Sequence, residues 1–140
     1  MSLAARDAID GDVPAPLRSA TVAVLRDAAA GPEVLLVLRH SKASFGANYA
    51  FPGGVHEDVD AQVADLCDGC TEQLACAQLD VTTQGLEYYS AAIRELFEET
   101  GVLLARRRGT SVQSSLIDTN AYDMERDDVH SGALSWREFL

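Results

Sequence analysis

Apolar positions along the chain fall into short blocks separated by glycine, proline and acidic residues, and the spacing inside each block predicts its element. Val22, Val24 and Leu25 make residues 20–26 a strand. A turn over 27–32 follows, closed by Gly31-Pro32. The almost unbroken apolar run from Val34 to Leu38 then makes 33–40 a second, buried strand, and the two pair as a hairpin. Gly46 and Asn48 mark 41–49 as a loop, which leads into Phe51-Pro52-Gly53-Gly54-Val55. A Pro-Gly-Gly step after an aromatic is a tight turn with special backbone angles.

Residues 57–85 break the pattern. They mix acidic residues, many alanines, Gly69, Gly85 and all the cysteines, and only 63–66 and 74–79 suggest helical turns. A stretch this long is seldom structureless inside a compact domain, so it reads as an insertion with some helix of its own. The strongest helix covers 86–100. Ile93, Leu96 and Phe97 stand at i, i+3 and i+4 and form one apolar stripe, and Gly101 sits where a C-terminal cap belongs. Residues 102–105 begin a strand, and 118–129 form another helix that Ser131-Gly132 breaks. Ser135-Trp136-Arg137-Glu138 has the Ser-x-x-Glu form of a capping box.

The chain of 140 residues suits one domain with one core. Residues 1–17, with Gly11, Pro14 and Pro16, read as a loose N-terminal arm, and 18–140 as the domain. Few residues follow 102, and the box at Ser135 announces a helix just before the end, so the domain reads as C-terminally incomplete.

Charge narrows the partners. A formal net charge of −11 repels nucleic-acid backbones and anionic membranes and suits a protein that collects divalent cations. No apolar run is long enough to span a bilayer. Arg106, Arg107 and Arg108 form the one basic run, either a solvated strand end or a patch for a phosphorylated substrate. Cys67, Cys70 and Cys76 are an odd count, which argues against a secreted disulfide framework. Cys67-x-x-Cys70 has zinc-compatible spacing, but no second pair completes four ligands, so reduced thiols in a cytoplasmic protein are the expectation.

The chemistry gathers on the 86–100 helix. Glu95, Glu98 and Glu99 occupy i, i+3 and i+4, on one arc away from the apolar stripe. Like charges at this spacing repel, and they lie in the last turns, where the helix dipole disfavours them. A solvated acidic face partly neutralised by Arg94 is one reading. A site for a hard cation such as Mg²⁺, which prefers carboxylate oxygens and would relieve the repulsion, is the other.

Arg94-Glu95-Leu96-Phe97-Glu98-Glu99-Thr100-Gly101-Val102 resembles, at every defined position, the second half of the Nudix box, written G-x5-E-x7-R-E-U-x-E-E-x-G-U with U a bulky aliphatic residue. Gly54, preceded by Phe51-Pro52-Gly53, is similar to its first half. The spacer departs from the pattern, which here runs G-x32-E-x6-R-E-U-x-E-E-x-G-U with Glu87 as the first glutamate. An interrupted box resembles the Nudix branch that includes coenzyme A diphosphatases, and the stretch from Leu35 to Ser41 is loosely similar to the coenzyme A signature upstream of the box. The first box acid is then Glu87, beside the helix, or Asp60 by the uninterrupted count from Gly54; Glu57 is also near.

The resemblance implies an α+β fold, an α/β/α sandwich in which a mixed sheet lies between helices and the box forms loop–helix–loop. It implies Mg²⁺ or Mn²⁺ held by Glu95 and Glu99, with Glu98 on a second metal and the carbonyl of Gly53 as a further ligand. Arg94 would orient the glutamates, Glu98 is the candidate general base, and Gly54, Glu87 and Gly101 support the motif. Arg39, in the upstream stretch, is the candidate substrate-binding cation. The implied activity is hydrolysis of a diphosphate linkage in coenzyme A or an acyl-CoA. ADP-ribose, nucleoside diphosphate sugars and dinucleotides are the alternatives, as is a ligand-binding module of the same fold without hydrolysis. The partner is a small diphosphate molecule, with no nucleic-acid polymer and no membrane, and a homodimer is left open.

Overall fold

A computed structural model describes residues 16–39, 48–106, 109–110 and 122–140. Most of the N-terminal arm, His40, Arg107, Arg108 and the first part of the expected 118–129 helix lie outside the described residues.

The expected hairpin forms in pieces. Its first strand divides into β1 (Ser19–Thr21) and β2 (Leu25–Arg26), and its second into β3 (Glu33–Val34) and β4 (Val37–Arg39). β2 and β3 pair antiparallel, joined by a turn in which the Gly31 N–H donates to the Ala28 carbonyl. β5 (Asn48–Ala50) returns antiparallel along β4, and β6 (Gly53–Val55) runs antiparallel to β1. Among the described residues the strands therefore make three two-stranded antiparallel sheets, not one mixed sheet. The run from Val34 to Leu38, expected to be buried, is exposed at Val34, Leu36 and Leu38 and half-buried between them. An apolar run states only what could be buried, and no layer among the described residues covers this one.

Residues 57–85 hold more helix than their sequence suggests. α1 (Asp58–Ala61) and a 3₁₀ turn (Ala64–Leu66) precede α2 (Glu72–Leu79). The Thr71 hydroxyl caps α2 by accepting from the Leu74 N–H, one of the donors that a helix start leaves unpaired. α3 (Gly85–Thr100) follows, and Gly101, at φ 74°, closes it by donating to the Phe97 carbonyl. The first N–H groups of α3 are satisfied from a distance. Gly85 and Leu86 donate to the two carboxylate oxygens of Glu72, each at 3.0 Å, so α2 supplies the anion at the positive end of α3. Residues 102–105 do not form the expected strand: Leu103 turns into the core instead, and no neighbouring strand among the described residues pairs with the segment.

α4 (Asp123–Ser131) runs two residues beyond the expected end and stops at Gly132, at φ 76°. The capping box at Ser135 starts α5 (Trp136–Phe139): the Ser135 hydroxyl accepts from the Glu138 N–H, and the Glu138 carboxylate accepts from the Ser135 N–H. The core lies between α3 and these helices. Phe97, Trp136, Val129, Val63 and Leu103 are buried together, and Phe97 stacks on Phe139 at 4.7 Å between ring centres. α3 thus has the β1–β6 pair on one side and α1, α4 and α5 on another. The second contact buries Phe97 and packs against Ile93, while Leu96, the third member of the apolar stripe, is fully buried outside that cluster.

Candidate functional site

The site forms where β6 crosses α3. Gly53 has φ 155°, and a side chain there would overlap the backbone of Ala20 and Thr21 on β1. At Gly54 a side chain would occupy the space of the Glu95 carboxylate. The two glycines therefore let one strand lie against β1 and, at the same time, let a helix carboxylate cover the peptide. The Gly53 N–H donates to Glu99 Oε2 at 3.2 Å. The glycine step and the glutamate helix, which the sequence separates widely, meet through both Glu95 and Glu99.

Arg94 organises the acidic face from beneath. It is 3% exposed. Its Nε and Nη2 donate to the two oxygens of Asp60 at 3.1 Å, Nη2 also reaches the Val55 carbonyl at 3.0 Å, and Nη1 donates to Glu95 at 3.0 Å and Glu98 at 3.2 Å. Burial alone would lower the pKa of this guanidinium. The hydrogen bonds and charge of Asp60, with Glu98 and Glu95, outweigh burial and raise it. Arg94 is thus a fixed cation that holds Glu95 and Glu98 in place.

Of the three candidates for the first box acid, Asp60 is the one that meets Arg94. It is fully buried, and it also accepts from the Ser90 hydroxyl and the Glu57 N–H. Glu87 faces the other way, to His56 at 2.8 Å and Gln84 at 3.0 Å. Glu57 precedes α1 and lines a cavity of about 350 Å³ with Arg94, Glu98, His130 and Trp136. His130, which sequence reasoning did not single out, places Nδ1 3.0 Å from Glu98 Oε2. Nothing in the sequence marks it, because it reaches the site only through the packing of α4 on α3.

The carboxylates are crowded. Burial raises the pKa of Glu95; Arg94 opposes this, and the neighbouring charges of Glu98 and Glu99 push upward again. The three glutamates of the acidic arc each rest on a guanidinium, Glu95 and Glu98 on Arg94, and Glu99 on Arg39 at 3.6 Å. The Gly53 carbonyl also accepts from Arg39, at 3.0 Å. With side chains so paired, no three His, Cys, Asp or Glu side chains among the described residues converge on one point. The donor set nonetheless fits a hard divalent cation: all its atoms are oxygens, the carboxylates repel one another, and a cationic group already lies against Gly53 and Glu99. The cysteines stand apart from this site. Cys67 faces the Val63 carbonyl, and Cys76 faces Glu72. Of the basic run, Arg106 bonds Asp68 and the Thr110 carbonyl, and the rest lies outside the described residues.

No helix among the described residues is long and apolar enough to cross a membrane. No family model matches the chain, and no curated protein matches it closely enough to count. Among solved structures, the crystal structure of a NUDIX hydrolase from Alicyclobacillus acidocaldarius is similar, with 29% identity and a TM-score of 0.57 over 87% of this chain. The match covers 55% of that structure, so the chain spans about half its length. The likeness in fold and sequence supports placing the chain in the Nudix superfamily.

Proposed function

We propose that the chain is a divalent-metal-dependent hydrolase that cleaves a diphosphate linkage in a nucleoside diphosphate derivative. The observation that carries this reading is the meeting of Gly53 and Gly54 with Glu95 and Glu99, braced from below by the buried pair of Arg94 and Asp60. Glu95, Glu99 and the Gly53 carbonyl would hold Mg²⁺ or Mn²⁺, with Glu98 beside them. A bound divalent cation neutralises diphosphate charge and lowers the pKa of a bound water. The protein's own part is positional. Arg94 fixes Glu95 and Glu98, and Asp60 takes the role of first box acid by fixing Arg94, in place of Glu87. Glu98, which borders the cavity, is the candidate to accept a proton from the attacking water.

Coenzyme A or an acyl-CoA is the favoured substrate, on the interrupted box and the stretch upstream of it. Arg39, at the end of that stretch, is the candidate cation for substrate phosphate. ADP-ribose, nucleoside diphosphate sugars and dinucleotides are the competing substrates. A binding module without hydrolysis is the weaker reading, since Glu95, Glu98 and Glu99 are all present.

The test is cleavage of coenzyme A, ADP-ribose and a dinucleotide with Mg²⁺ or Mn²⁺, read by chromatography as the two phosphate-bearing products that form when water enters the linkage, using the unaltered protein and Glu99→Gln. Metal-dependent turnover, nearly lost in Glu99→Gln with melting unchanged, is the expected result. Near-full activity in Glu99→Gln would refute the ligand assignment. Brisk turnover of ADP-ribose with none of coenzyme A would refute the favoured substrate.

A further inference from the structure

Arg39 closes β4, and its guanidinium stands where the glycine step and α3 meet. Nη2 donates to the Gly53 carbonyl at 3.0 Å and lies 3.6 Å from Glu99 Oε1. The other Glu99 oxygen accepts from the Gly53 N–H. One positive group therefore bridges a neutral carbonyl oxygen and a carboxylate oxygen that belong to different elements. These are two of the oxygens proposed to hold the divalent cation.

The two arginines of the site differ in how firmly they are held. Arg94 is buried and bonded on every side, to Asp60, Val55, Glu95 and Glu98, so it is a permanent part of the framework. The Arg39 side chain is 58% exposed, and among the described residues it meets the Gly53 carbonyl and Glu99 at the site. A long exposed side chain holding two contacts can leave at small cost, and water can take up its hydrogen bonds.

We propose that Arg39 is a built-in competitor for the divalent cation. Its guanidinium neutralises the Gly53–Glu99 oxygen pair, and cation binding at that pair requires it to withdraw. The proposal rests on the metal-dependent reading of the site. Its physical basis is that two cations cannot share one oxygen pair at close range without strong repulsion. The arrangement keeps β6 and α3 joined when no metal is bound, and it leaves a free guanidinium at the rim of the site once metal is present.

The experiment is a Mn²⁺ titration followed by the electron paramagnetic resonance signal of free Mn²⁺, with the unaltered protein, Arg39→Met and Glu99→Gln. Methionine keeps most of the length of the side chain and removes its charge. Arg39→Met should bind Mn²⁺ about tenfold more tightly, equivalent to about 1.4 kcal/mol, and Glu99→Gln should bind it more weakly. If Glu99→Gln weakens binding while Arg39→Met binds no tighter than the unaltered protein, the competitor role is wrong and the metal site stands. If Glu99→Gln binds Mn²⁺ undiminished, the metal site itself is misplaced and the competitor role falls with it. A second measurement needs no altered protein in the readout. The Arg39 Nε–H resonance, identified by its loss in Arg39→Met, should shift during a Mg²⁺ titration, and a resonance unmoved at saturation would overturn the proposal.

Discussion

Asp60 and Arg94, 34 positions apart in the sequence, form a two-point ion pair in which the carboxylate has no solvent exposure. Removing one partner of such a pair strands the other charge away from water. Asp60→Ala should therefore destabilise the protein by about 3–5 kcal/mol. Glu87→Gln should cost less than about 1.5 kcal/mol, since an amide can still hydrogen-bond His56. Urea denaturation followed by circular dichroism compares the two, and equal losses would mean that Glu87, as much as Asp60, frames the site.

The two glycines of β6 should respond differently to alanine. At Gly53 the added methyl meets β1 backbone, which cannot step aside, and Gly53→Ala should lose about 1–3 kcal/mol of stability. At Gly54 it meets the far end of the Glu95 side chain, which can rotate. Gly54→Ala should therefore melt near the unaltered protein yet bind Mn²⁺ more weakly, because Glu95 is displaced. Melting curves and the Mn²⁺ titration read the two effects separately.

Trp136 anchors α5. It is 2% exposed, packs against Phe97 and Phe139, and donates its ring N–H to the Ser90 hydroxyl at 3.2 Å. Trp136→Ala should cost about 3–5 kcal/mol. The chain has one tryptophan, so its fluorescence reports the docking of α5. In the unaltered protein the fluorescence and circular dichroism transitions should coincide. A separate, earlier fluorescence transition would mean that α5 is detached from the α3 core.

Glu72 ties α2 to α3, and its pKa is lowered, first by the Leu86 N–H and then by the Cys76 thiol. A carboxyl with a folded-state pKa below its unfolded value contributes stability above the ordinary carboxylate range and loses it as pH falls through the folded value. The stability gap between the unaltered protein and Glu72→Gln should be full at neutral pH and should close in acid. A gap of constant size from neutral pH into acid would show that charge at Glu72 does nothing for the α2–α3 junction.

The sequence disclosed α3 well because its signals are local: the stripe of Ile93, Leu96 and Phe97, the acidic arc, and the cap at Gly101. It disclosed Asp60 only as one of three choices. Proximity in the chain favoured Glu87, whereas the partner of Arg94 is decided by how α1 packs on α3. His130 was invisible for the same reason. The run from Val34 to Leu38 misled in the opposite direction, since hydrophobicity cannot report whether a covering layer exists. Residues 102–105 look like a strand by composition, but a strand needs a neighbour, and Leu103 finds the core instead.

The contact of Gly54 with Glu95 is made through space, and this frees the covalent path between them. The intervening chain is a tether, and that contact fixes where its ends stand without fixing its contour length. What constrains it instead is its cargo, since it must deliver Asp60 beneath Arg94 and Glu72 to the start of α3. Residues could be added or removed between those two carboxylates, around Gly69, with the acidic face of α3 left as it is.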